Sequence, residues 1–231
     1  IFRSYRLKFV ILSQKSCPHF SIWGFCYFPV TLTKIKKSKG IEMCGRYALY
    51  DTSKSKLKIA HNMVGKNYNI APSEMVPVVV ENNELKLIAW TFKAYRADKL
   101  NIINARSETL DSKIVFKNAK RCIFIANGYF EWLRQDKAKI PYYHTFKDQM
   151  MYFGGIFNDQ GACIVTRQSY PMVVNVHHRQ PVILCYDDFK SWFALDHDYT
   201  CDFSRNMEVF EVSTQVNSPK NNAPGNIERV R

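Results

Sequence analysis

"RCIFIANGYFEWL", residues Arg121 to Leu133, decides how the rest of the chain reads. Cys122 to Ala126 is an unbroken apolar run rich in isoleucine and phenylalanine, which suits a short buried strand. Asn127-Gly128 ends it with a turn signal. Just beyond that turn, Glu131 stands among Tyr129, Phe130 and Trp132. Aromatic surroundings of this kind raise a carboxyl pKa toward working pH. An edge-strand glutamate facing water is the commoner use of the same residue.

Working outward, strand texture recurs. Met75 to Phe92 is two apolar runs around Glu81-Asn82-Asn83-Glu84, which predicts a hairpin. Pro141 to Phe157 predicts a second one around Lys147-Asp148-Gln149, and Ala162–Thr166 and Pro181–Cys185 are short buried-strand runs. Lys54 to Asn62 has helical composition. Asp187 to Leu195 predicts a short amphipathic helix, with two acidic residues at the end where the helix dipole favours them. Asn217 to Asn226, with two prolines and a glycine, reads as loop. These elements predict one α+β domain, with antiparallel, barrel-like sheets flanked by short helices.

Composition sets the limits. A chain of 231 residues that is 46% hydrophobic can bury one sizeable core. Its net charge of +13 points to an acidic partner, nucleic acid first. Residues 1–43 hold eight of the 33 basic and one of the 20 acidic residues, so the remainder carries 25 against 19, or +6. The seven cysteines are odd in number and lack C-x-x-C spacing, which argues against a disulfide framework and a zinc site. A reducing cytosol is the natural setting.

Residues 1–42 read as upstream translation or a disordered leader, outside a domain spanning 43–231. Phe20 to Leu32 is the apolar part, but its 13 residues fall short of the roughly 20 a membrane span needs, and Pro29 interrupts it. No small-x-small cleavage site follows it. Methionine is absent before Met43, and Lys39-Gly40 fits a purine-rich ribosome-binding sequence. Met43 is therefore read as the start of a prokaryotic, cytoplasmic protein with no membrane attachment.

That start changes the chemistry of Cys44. Once Met43 is trimmed, Cys44 carries a free α-amine and a thiol on adjacent carbons. Three other places offer reactive groups. Asn104-Ala105-Arg106 follows the apolar Ile102-Ile103, Glu131 follows the turn, and His177-His178-Arg179 precedes Pro181-Val182-Ile183-Leu184. Taken singly, each has an ordinary structural reading: a buried cysteine, an Asx-turn, a solvated glutamate, a hydrogen-bonded histidine.

Their order carries more. Met43-Cys-Gly-Arg-Tyr47, Asn69-Ile-Ala-Pro72, Asn104-Ala-Arg-Ser-Glu-Thr109, Gly128-Tyr-Phe-Glu-Trp132 and His177-x-Arg179-x-Pro181 follow one another along the chain. This series resembles the SOS response-associated peptidase family, the abasic-site processing proteins. The resemblance implies covalent capture of abasic sites in single-stranded DNA through a thiazolidine on Cys44, without a cofactor or metal. It further implies a nucleoid-associated role in repair, with peptidase- or lyase-like activity. By motif, Asn104 positions sugar and amine, Glu131 shuttles protons at the amine, and His177 opens the sugar ring. Arg46 and Arg106 hold phosphates, Trp90 stacks on a base, Asn69 and Pro72 lie on a DNA-facing loop, and Thr166 matches a family threonine. Thr91 departs from the family's W-G glycine, and the stretch from Trp90 to Asn104 is short. Two other readings stand beside this one. The first is a cysteine hydrolase using Cys44 and His177, and the second is a non-covalent single-strand binder with a stacking groove.

Overall fold

The computed structural model describes residues 44–59, 65–94, 97–196 and 206–231. The expected leader of residues 1–42 lies outside them. Fifteen strands occur among the described residues. The first seven are β1 (Arg46–Leu49), β2 (Asn67–Ile70), β3 (Met75–Val79), β4 (Leu85–Ala89), β5 (Phe92–Ala94), β6 (Ala97–Ile102) and β7 (Asn104–Arg106). After them come β8 (Lys120–Ala126), β9 (Gly128–Gln135), β10 (Ala138–Phe146), β11 (Met151–Asn158) and β12 (Gly161–Gln168). The last three are β13 (Arg179–Pro181), β14 (Ile183–Leu184) and β15 (Met207–Glu211).

They form a five-stranded sheet, β15-β10-β9-β1-β2, and an eight-stranded sheet built on β13-β12-β11-β8-β3-β4. β14 pairs with β11, β7 pairs with β12, and β5 with β6 makes a separate ribbon. All pairings are antiparallel except β7 with β12. Neither large sheet closes into a barrel. The one α-helix among the described residues, α1 (Phe189–Phe193), is five residues long. The domain is thus sheet-dominated, which corrects the barrel-like α+β expectation.

The apolar run of Cys122–Ala126 is β8, held between β11 and β3 and fully buried. A strand covered on both faces has no use for polar alternation. Asn127 then moves the chain from one sheet to the other. Its side-chain carbonyl accepts the Tyr50 and Asp51 N–H groups at 2.7 and 3.0 Å. Its amide donates to the Asp51 carbonyl at 2.7 Å. Where the two sheets share a core, Tyr47 of β1 meets Trp90, Phe124 and Phe153 edge-on, with centroids 5.2–6.4 Å apart. Gly154 of β11 leaves room for Trp192, whose ring a Cβ there would meet at 2.7 Å.

The Met75–Phe92 hairpin forms as expected. The Pro141–Phe157 hairpin does not. Its two strands exist as β10 and β11, but they sit in different sheets and pair with other strands. Lys54 to Ile59 is irregular instead of helical, while Ala60–Asn62 lie outside the described residues. Cys44, Cys122 and Cys163 are buried free thiols.

Candidate active site

β1 opens just after Cys44 and pairs with β9, setting Arg46 opposite Phe130 and Tyr47 opposite Tyr129. This antiparallel register brings Cys44 beside Glu131. The Cys44 backbone nitrogen donates to Glu131 Oε1 at 2.7 Å. From a third direction, β7 runs parallel to β12, with Asn104 opposite Ile164. Asn104 Nδ2 donates to the Cys44 carbonyl at 3.2 Å. Trp90 braces that approach through its indole N–H, which donates to the Ile103 carbonyl at 3.0 Å.

His177 completes the group, its Nδ1 lying 3.8 Å from Glu131 Oε1. The same nitrogen faces the Arg179 N–H at 3.2 Å and the Arg179 carbonyl at 3.1 Å, so either tautomer finds a partner. Arg179 in turn grips Glu108 with two bonds, at 2.6 and 2.9 Å, and donates to the Thr166 carbonyl at 2.6 Å. That fork holds the Glu108 carboxyl down to about 2. It ties β13 to β12 and to the turn after β7, which fixes His177 and Asn104 in one frame.

Burial governs the charges here. Glu131 is 3% exposed. Desolvation pushes its carboxyl up to about 8, against the pull of the Cys44 and Trp132 N–H groups. Desolvation also holds His177 below its ordinary value. The 3.8 Å contact would be an ion pair with both groups charged, but burial drives each the other way, so at neutral pH it is an uncharged contact. The Cys44 thiol is pushed up by burial and then by Glu131.

A cleft of about 360 Å³ opens onto this group, lined by Arg46, Pro72, Ile103, Glu131, Trp132 and Lys139 among others. Cys44, Asn104, Glu131 and His177 therefore come together, and Arg46 and Pro72 stand at the cleft with them. Arg106 is exposed at the end of β7. Three expected DNA contacts are corrected by burial. Trp90 is 0% exposed and packed against Tyr47 and Phe124, so neither face is open to a base. Asn69 is buried, and its amide is occupied by the Val216, Ser218 and Asn221 carbonyls of the C-terminal tail. Thr166 is buried, its carbonyl accepting from Arg179. Trp132 and Lys139, both at the cleft, were not singled out from the sequence. Trp132 was legible as the last residue of Gly128-x-x-Glu-Trp132, whereas Lys139 carries no local signal. No group of three or more metal-ligating side chains occurs among the described residues, and none of their helices is long and apolar enough to cross a membrane.

Residues 43–219 match the family profile described as SOS response associated peptidase (SRAP). The abasic site processing protein YoqW of Bacillus subtilis is 31% identical over 222 residues, covering 80% of this chain and 99% of that one. The abasic site processing protein YoaM of the same organism is 30% identical over 220 residues, covering 78% and 96%. A solved structure from Bacteroides thetaiotaomicron shares the fold with a TM-score of 0.64 at 19% identity, covering 81% of this chain and 100% of that one. The family profile and the near full-length match to YoqW agree with the family that the motif order resembles. The chain belongs to the SOS response associated peptidase (SRAP) family.

Proposed function

We propose that the chain processes abasic sites in DNA by capturing them covalently on Cys44 in single strands. The observation that carries this reading is the 2.7 Å contact between the Cys44 nitrogen and Glu131 at the cleft. With Met43 removed, that nitrogen is a primary amine, with an ordinary pKa of about 7.7–8.0. Glu131, which desolvation holds above its ordinary range, stands within proton-transfer reach of that nitrogen.

An opened abasic sugar presents an aldehyde carbon. The amine adds to it and water leaves, giving an imine, with Glu131 carrying protons to and from nitrogen. The thiol then adds across the C=N bond, sulfur to carbon and hydrogen to nitrogen, closing a five-membered thiazolidine. Amine and thiol stand on adjacent carbons, so this second step is intramolecular, where effective molarities reach about 10⁵ M. His177 is the acid that opens the sugar ring, and Asn104 orients Cys44 through its carbonyl. Arg46 and Arg106 are the cations for the flanking phosphates.

A hydrolase reading fits less well. It needs a thiolate activated by a base, whereas burial and Glu131 both raise the Cys44 thiol. His177 Nδ1 is turned instead to Arg179 and Glu131. The test is incubation of Met43-started protein with abasic single-stranded DNA, followed by a denaturing gel. A shifted, heat-stable band is expected. Its absence, with intact processed protein, would overturn the proposal.

A further inference from the structure

The stretch from Asn217 to Asn226 reads as loop in the sequence, yet Asn217 stands in the wall of the cleft with Arg46, Glu131 and Trp132. Its backbone is fixed on both sides. The preceding Val216 is fully buried in a small cluster with Phe130 and Tyr143. The Val216 carbonyl accepts from Arg46 Nη1 at 3.0 Å and from Asn69 Nδ2 at 3.2 Å, and the same Asn69 amide reaches the Ser218 carbonyl at 2.9 Å. Asn217 therefore sits between two anchored carbonyls, at the end of the 3-10 turn Thr214–Asn217. Its side chain is oriented as well, because Trp132 Nε1 donates to Asn217 Oδ1 at 2.6 Å. An indole nitrogen can only donate, so it selects the carbonyl end of the amide. The NH2 end is then turned away from the indole. Asn217 is exposed, and its Nδ2 has no hydrogen-bond partner among the described residues.

We propose that Asn217 is a DNA-contacting residue supplied by the C-terminal tail, its side-chain amide donating to a phosphate oxygen of the strand in the cleft. The strand's identity rests on the function proposed above. A group that presents donors alone suits a phosphate oxygen, which only accepts, whereas base edges mix donors with acceptors. Amide side chains are common phosphate partners, and such contacts set the register of a strand without reading its sequence. A protein that captures a sugar lacking its base has no base edge to read at that position, so a sequence-blind contact is the useful kind. Trp132 serves this contact as a brace: by holding Oδ1 it fixes the direction in which Nδ2 points. The amide thus meets the strand already oriented, which spares the entropy of ordering it on binding.

The experiment uses undamaged oligothymidylate and oligodeoxyadenylate, which have no aldehyde and cannot crosslink. Binding is measured by fluorescence anisotropy across a salt series. Asn217→Ala should weaken both strands alike, by about 2–10-fold for the loss of one hydrogen bond. The slope of log affinity against log salt should stay as in the wild type, because counterion release counts charges and an amide carries none. Repeating the substitution in a Trp132→Phe background separates contact from bracing. If Asn217 only held the indole, Asn217→Ala would add nothing once the indole N–H is gone; as a strand contact, it should still lower affinity there. In the wild type, the Asn217 side-chain NH2 resonances, assigned by their loss in Asn217→Ala, should shift when oligothymidylate saturates the protein. Affinity unchanged by Asn217→Ala, no further loss in the Trp132→Phe background, a loss confined to one of the two strands, or NH2 resonances that ignore the strand would overturn the proposal. None of these readouts involves a covalent product, so failure of abasic-site capture would be scored separately by the denaturing gel.

Discussion

β8 buries Cys122 through Ala126 completely, and β9, beginning two residues later, buries Gly128 through Glu131 to nearly the same extent. The two strands differ in what they bury. Every side chain in the first run is apolar, and full burial of one such side chain contributes roughly 1.5–3 kcal/mol. The second run takes a carboxyl inside with it. Raising Glu131 from 4.5 to about 8 makes its ionised form less stable by an amount on the order of 5 kcal/mol. The protein therefore carries Glu131 protonated through neutral pH, at the expense of stability in alkali. Equal burial serves packing in β8 and, under the function proposed above, proton chemistry in β9.

The sharpest way to break this contrast is to remove the chemistry at the contact point. Under the function proposed above, Cys44→Ser in Met43-started protein keeps the amine beside Glu131 but loses the sulfur that closes the ring. It should form no heat-stable adduct, yet still give an imine trappable by borohydride. A wild-type yield of stable adduct would rule out the thiazolidine.

Glu131→Gln keeps the side-chain volume and removes the titration. Crosslinking should slow by about 10²–10⁴-fold, as for loss of a general acid–base group. Binding of abasic strands should stay near normal. The same variant tests the cost of burial. Between pH 4.5 and about 8 the unfolded chain has released this proton while the folded chain retains it, so wild-type stability falls as pH rises through that window. In Glu131→Gln that fall should vanish, and chemical denaturation at pH 5 and pH 9 reads the difference. If the wild type shows no such decline, Glu131 is not held protonated.

The matching change in β8 is Phe124→Ala. It should lower stability by about 3–5 kcal/mol, while the folded fraction crosslinks at the normal rate when corrected for active protein. A large kinetic defect would mean that β8 does more than pack. Gly128→Ala acts at the join between the strands, where a Cβ would meet the His144 carbonyl and the Tyr143 ring at 2.5 Å. Overpacking of this kind costs about 1–3 kcal/mol, and a melting curve measures it. The smallest effect is expected at the exposed Arg106, where Arg106→Gln should weaken strand binding and make its salt slope shallower by about 0.7. Its single-turnover rate at saturating protein should be unchanged.

Much of the site was legible before any fold was known. Cys44, Asn104, Glu131 and His177 each have a bland local reading, but their motifs in series named the set that the structure gathers. The DNA-facing residues were less legible. Trp90 and Asn69 look like ligand contacts in one dimension, because aromatic and amide side chains serve surfaces and interiors alike. Their burial depends on Tyr47, Phe124 and the tail at Val216–Asn221, all distant in sequence.

The sequence by itself determined where strands form: apolar runs bounded by turn residues at Met75–Ala89, Cys122–Ala126 and Ala162–Thr166 are local facts of side-chain chemistry. It also determined which side chains were capable of amine, thiol and proton chemistry. Only the tertiary structure decided which strands are partners. Lys147-Asp148-Gln149 carries the chain between sheets instead of closing a hairpin, and Asp136-Lys137 closes one without an Asn-Gly or Gly-Gly signal. Pairing and register are set by what each strand face can bury against the rest of the chain, a quantity absent from any local window. The proton affinity of Glu131 belongs to the same class. Its carboxyl is ordinary in the unfolded chain, and it becomes a group titrating near 8 only when β1, β9 and the aromatic core exclude water from around it.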